Sequence, residues 1–170
     1  MYHSKPFHLF ISILILSFVT SCGIYSFNGA SISSDTKTIY IKTFPNYAPI
    51  IAPTLSQSFT ESLKDKFVSQ TGLKLVENEG DLSFEGAITG YAVKPINISG
   101  NETAAQKQLT ITVKVKFVNK NDQKNNFDKS FARFADFDAN VNLADVEDVL
   151  IAEISSQLVE DIFNESVVNW

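Results

Sequence analysis

The stretch QLTITVKVKFV, Gln108 to Val118, alternates without a break. Leu109, Ile111, Val113, Val115 and Phe117 fall on one side, and Gln108, Thr110, Thr112, Lys114 and Lys116 on the other. A period of two over this length predicts a β-strand with one covered and one wet face. The run NKNDQKNN, Asn119 to Asn126, has the composition of an exposed hairpin loop. Phe127 to Phe137 then returns as a less regular strand, with Phe131, Phe134 and Phe137 available to pack. Upstream, Asp81 to Ile98 reads as a longer strand with Leu82, Phe84 and Ile88 on one face. Gly86 and Gly90 interrupt it, and the apolar parity moves afterwards to Tyr91 and Val93, as a β-bulge would produce.

Two segments change period. From Thr54 to Gln70, Leu55, Phe59, Leu63 and Phe67 recur every fourth residue and form one apolar helical stripe. Pro53 suits the first helical position and Gly72 the stop. Asn142 to Asn169 is a second helix, capped by Asn142, with Asp145, Glu147 and Asp148 at the positive end of its dipole. Val146, Leu150, Ile154, Leu158 and Ile162 make its stripe, widened by Val149, Ile151 and Phe163. Thr38 to Phe44 alternates as a first strand, Pro45, Pro49 and Pro53 break the chain after it, and Leu73 to Val76 is a short strand. Consecutive strands with short polar loops imply antiparallel pairing. The expected fold is α+β: a two-layer sandwich, two amphipathic helices on one face of a mostly antiparallel four-stranded sheet.

The N-terminus carries a different message. Phe7 to Val19 is almost wholly apolar, Lys5 precedes it, and Thr20 and Ser21 lead to Cys22, the only cysteine of the chain. About 13 apolar residues are too few to span a bilayer and suit the core of a signal peptide. LSFVTSC, Leu16 to Cys22, resembles a bacterial lipoprotein box, in which the cysteine receives a thioether-linked lipid and the chain is cut before it. The expected organisation is a signal peptide over 1–21, a lipidated tether over 22–37 and one domain over 38–170. Gly23 is not the Asp that resembles an inner-membrane retention signal, and no acidic run resembling a surface-export signal follows. The anchor is therefore expected in the inner leaflet of the outer membrane, facing the periplasm.

Composition excludes several chemistries. Removing residues 1–21 takes away one charge, Lys5, so the net charge moves from −5 to −6. An acidic domain without a Lys/Arg tract has no field for nucleic acid. Both histidines, His3 and His8, lie in the removed piece. With Cys22 acylated, no Ser-His-Asp triad, Cys-His dyad, His/Cys zinc site or internal disulfide is available. The acidic turn at Asp145 to Asp148 is explained by capping rather than by a metal. No cofactor and no enzymatic activity are expected.

Several stretches together resemble the LptE family of lipopolysaccharide-assembly lipoproteins, in particular its Bacteroidetes-type members. They are the lipobox with the aromatic residues Tyr25 and Phe27 close behind it, TIYIKTFPN (Thr38 to Asn46), APTLSQSFTESLKDKF (Ala52 to Phe67), LSFEGAITGYAVKPI (Leu82 to Ile96), QLTITVKVKFVN (Gln108 to Asn119) and SFARFADFDA (Ser130 to Ala139). The strand pattern Glu85, Gly86, Ile88, Tyr91 and the element order carry most of the weight.

The resemblance implies a non-enzymatic plug for an LptD-like outer-membrane β-barrel, assisting its assembly and the delivery of lipopolysaccharide or lipooligosaccharide to the cell surface. It also implies basic contacts for the glycolipid on or near the sheet. Lys114 and Lys116 share the polar face of the cleanest strand, about 7 Å apart, and suit the paired phosphates of a lipid A head group. Arg133 is expected to join them from the neighbouring strand. Solubility alone also places lysines on an open sheet face. Two other readings compete: an accessory lipoprotein of another transport or barrel-assembly complex that binds protein only, and a carboxylate hydrolase using Glu85 and a nearby Asp.

Overall fold

The computed structural model describes residues 32–50, 52–96 and 105–167. The proposed signal peptide, Cys22 and Trp170 lie outside the described residues. The elements run β1 (Thr38–Ile41), α1 (Leu55–Thr71), β2 (Lys74–Val76), β3 (Leu82–Ile96), β4 (Gln106–Asn119), β5 (Phe127–Asp138) and α2 (Leu143–Val167), with a short 3₁₀ turn over Gln123–Asn125. The strands form one sheet in the order β2-β1-β3-β4-β5.

The α+β class and the two helices agree with expectation, but the sheet has five strands and is mixed. β3, β4 and β5 pair antiparallel, whereas β1 lies parallel to both β2 and β3. Two features explain this. The link from β1 to β2 contains α1, and such a crossover returns a strand parallel to the first. After Val76 the chain doubles back through residues 77–81 and passes over β1 to start β3 on its far side. Gly80 makes that crossing. A Cβ there would lie 2.7 Å from the Tyr40 amide nitrogen and 2.9 Å from the Ile39 carbonyl carbon, so no larger residue fits.

Asp81 then fastens the crossing. Its carboxylate accepts from the backbone N–H groups of Lys37 and Thr38, both at 2.9 Å, and from the Thr38 hydroxyl at 2.8 Å. The Asp81 N–H donates in return to Thr38 Oγ1. These donors, the Lys37 N–H foremost, hold the Asp81 carboxyl below its ordinary range.

Both helices cover one face of the sheet. The α1 stripe buries Leu55, Phe59, Leu63 and Phe67 as the spacing predicts. Pro53 lies two residues before the first helical residue rather than within the helix, and Gly72 ends it in the left-handed conformation at φ 68°. In α2, Asn142 Oδ1 accepts from the Ala144 N–H, and Leu150, Ile151, Ile154, Leu158, Val159, Ile162 and Phe163 are buried. Val149 does not widen this stripe; it stands on the solvent side.

The phenylalanines form a chain through the layers: Phe163 of α2, Phe67 of α1, Phe84 of β3, Phe117 of β4 and Phe127 of β5, with successive ring centroids 4.7–5.2 Å apart. Such contacts add about 0.5–1.5 kcal/mol each beyond area burial. The packed body also reaches back before Thr38, since Ile32 packs against the core and Thr36 is buried, where its Oγ1 accepts from Asn121.

Candidate functional site

The face of the sheet away from the helices is the open one. β4 alternates as its sequence requires: Leu109, Ile111, Val113, Val115 and Phe117 are fully buried, and Lys114 and Lys116 project from the other side. The bulge expected near Gly90 occurs between Ile88 and Gly90, and restores Tyr91 to the buried face. Tyr91 donates to Glu147 of α2 at 2.5 Å, and burial together with that carboxylate pushes its phenol well above the ordinary value. This bond ties the start of α2 to the far side of the same strand.

Lys116 sits directly opposite Glu85 of β3 on one side and Asp128 of β5 on the other. Asp128 forms its ion pair with Lys114 instead, at 3.3 Å. Lys116 therefore has no ion-pair partner among the described residues. Two shallow depressions meet at it. One, about 250 Å³, is lined by Glu85, Gly86, Ala87, Thr89, Lys114, Lys116 and Asp128. The other, about 230 Å³, is lined by Glu79, Ser83, Glu85, Lys116, Val118 and Lys120. Lys120 pairs with Glu79 at 3.2 Å, and Lys94 is exposed further along the same face. The arrangement is a line of ammonium groups interleaved with carboxylates, suited to a ligand that carries several anionic groups across a flat surface.

Arg133 does not join this line. Its side chain leaves the opposite face of β5 and holds Asp161 of α2 through both Nε and Nη2, at 2.5 and 2.6 Å. Lys129, two alternations away, likewise pairs with Glu165. Phe134, expected in the core with Phe131 and Phe137, projects from the open face and is 52 % exposed. Phe131 and Phe137 pack on the helix side. Sequence reasoning missed Lys120, Lys94 and Asp128, and it named Glu85 without its place beside Lys116. The alternation of β3 was a signal for Glu85; nothing in the sequence alone fixed the pairing that brings in Asp128.

A larger hollow of about 710 Å³ lies at the β2 edge, between Tyr40, Lys42, Lys64 and Glu77. Its wall carries two cations, Lys42 and Lys64, of which Lys64 is paired with Glu61, whereas the open face lines up Lys94, Lys114, Lys116 and Lys120 and is the stronger candidate. The hydrolase reading is not favoured, because Glu85 and Asp128 lie two strands apart, with Lys116 of β4 between them in register, and Asp128 is engaged by Lys114. Among the described residues no group of three or more His, Cys, Asp or Glu is placed to hold a metal. No helix among them is long and apolar enough to cross a membrane.

The two-helix layer over a five-stranded mixed sheet has counterparts among solved structures. A minor lipoprotein from Acinetobacter baumannii shares it with TM-score 0.50 at 13% identity, covering 77% of this chain and 92% of that one. A hypothetical protein from Chlamydia trachomatis shares it with TM-score 0.53 at 10% identity, covering 79% and 98%. Rare lipoprotein B from Shewanella oneidensis is a further match, with TM-score 0.46 at 13% identity, covering 74% and 91%. At these identities the likeness concerns the fold alone. No curated protein matches the sequence. The family model LptE, lipopolysaccharide-assembly, matches residues 36–166, and the chain belongs to that family.

Proposed function

We propose that this protein is an outer-membrane lipoprotein that sits in an LptD-like β-barrel, assists its assembly and helps pass lipopolysaccharide or lipooligosaccharide to the cell surface without making or breaking a bond. Family membership over residues 36–166 is the observation that carries the reading. Residues 1–21 act as a signal peptide and Cys22 as the lipid attachment site. Acyl chains on that cysteine hold the domain to the periplasmic leaflet, at about 0.8 kcal/mol per buried CH₂.

The open sheet face receives the glycolipid. Lys116 is the first contact, because no carboxylate claims it, and Lys114 the second, once phosphate competes with Asp128 for its ammonium. Arg133, committed to Asp161, holds α2 to the sheet rather than the ligand. Purification of the lipidated protein in mild detergent tests the partner. It is expected to bring down one large barrel, and depletion is expected to reduce surface glycolipid. Recovery of a different transport or assembly complex, with surface glycolipid unchanged, would favour a protein-only accessory role.

A further inference from the structure

The outer edge of β5 is a second unfilled binding feature, distinct from the open face. β5 is the last strand of the sheet, twelve residues long, and among the described residues no strand lies beyond it. The Ala139 N–H donates to the Ala105 carbonyl opposite it, at 2.9 Å, and the register from there to Phe117↔Phe127 is unbroken. This fixes the phase of the ladder. Odd-numbered residues of β5 exchange bonds with β4, and Asp128, Ser130, Ala132, Phe134 and Asp136 turn their N–H and C=O groups outward. None of these five has a main-chain partner among the described residues.

Proteins rarely leave a long, regular edge bare; charged side chains, Pro, bulges, shortened strands, inward-pointing charges or a covering helix or loop are the usual safeguards. Of these, β5 carries charged side chains on its open face, Asp128 and Asp136. β5 contains no Pro and no Gly, and its pairing with β4 has no bulge. Its two inward cations are neutralised, Lys129 by Glu165 and Arg133 by Asp161. β2, at the other edge, is three residues long and so protected by its brevity.

The side chains say what would fit. Along the open face the edge reads Asp128, Ser130, Ala132, Phe134, Asp136, with acids at both ends and an apolar centre. The flank is α2, which carries seven acids and no base. A second copy of the chain fits poorly. The two fullest in-phase two-fold registers are equally long: one sets Asp128 against Asp138 and Arg133 against its own copy, the other sets Asp128 against Asp136. Either would also bring two acidic helices together.

We infer that the outer edge of β5 accepts an extended strand from a partner protein, apolar where it meets Phe134 and basic where it meets Asp128 and Asp136. Main-chain bonds would supply affinity and the alternating side chains specificity. The main-chain bonds and Phe134 involve neither Lys114 nor Lys116, whereas a basic residue set against Asp128 competes with the Lys114 ion pair.

The probe is the nonapeptide Lys-Thr-Val-Thr-Phe-Thr-Val-Thr-Lys, added to the purified protein and followed by titration and by residue-resolved amide exchange. Exchange is expected to slow at Ser130, Ala132 and Phe134 and to stay unchanged at the odd-numbered neighbours. Ala132→Pro removes an outward donor while leaving the bonds to β4, and should weaken binding by at least about tenfold. Phe134→Ser leaves the backbone intact and should weaken it by several-fold, should the proline variant fold poorly. Replacing both peptide lysines with glutamate should abolish binding. Equal affinity for both peptides, or no protection at the even-numbered amides, would overturn the inference. Protection of those amides without peptide, with dimers on sedimentation, would overturn it in favour of a second copy.

Discussion

The two faces of this sheet share every strand and almost nothing else. Under the helices, β4 presents five fully buried apolar side chains, and the phenylalanine chain links α2, α1, β3, β4 and β5. On the open side the same strand presents lysines interleaved with Glu85 and Asp128. The comparison teaches a division of labour. One face holds the fold together by dry burial, and the other is free to change its chemistry because little stability rests on it. The substitutions below test that division, from the face that should not tolerate change to the face that should.

Phe84→Ala should have the largest effect. Phe84 is fully buried between Phe67 and Phe117, at 4.8 and 4.7 Å between centroids, and its loss leaves a cavity at the middle of the chain of rings. A destabilisation of about 3–5 kcal/mol is expected in denaturant unfolding, a large part of the total stability of such a domain. A loss as small as that of a surface variant would break the comparison.

Gly80→Ala comes next, at about 1–3 kcal/mol, because the new methyl group meets β1 backbone rather than a movable side chain. Asp81→Asn should cost about 1–2 kcal/mol near neutral pH by weakening three accepted hydrogen bonds. The pH dependence has a definite sign. The Asp81 carboxyl is held below 3.8 in the folded state, so its contribution is full above 3.8 and is lost as pH falls through the lowered value. Thermal melts of wild type and Asp81→Asn should therefore converge on acidification; a constant gap would contradict the clamp.

Much of this division was legible in the sequence. The strict alternation of Gln108 to Val118 identified both faces of β4, and four-residue stripes identified the buried sides of both helices apart from Val149. The parity change after Gly90 identified the bulge. What escaped was set by pairing rather than by pattern. A three-residue strand such as β2 has too few side chains to declare its direction, and the crossing at Gly80 depends on close approach to β1. In β5, Phe131, Phe134 and Phe137 fall three residues apart, so Phe134 cannot share a face with Phe131 and Phe137. Arg133 faces the helices because it shares the parity of Phe131 and Phe137, and Asp161, distant in sequence, supplies its counter-charge.

The most direct test of the central claim measures lipopolysaccharide binding to wild type and to the Lys114→Gln/Lys116→Gln double variant, which removes both cations without setting new acids opposite Glu85 and Asp128, alongside their unfolding curves. Stability should change by no more than about 0.5 kcal/mol, as for an open surface, while affinity falls by at least about tenfold. Undiminished affinity at unchanged stability would contradict the assignment of the open sheet face to the glycolipid.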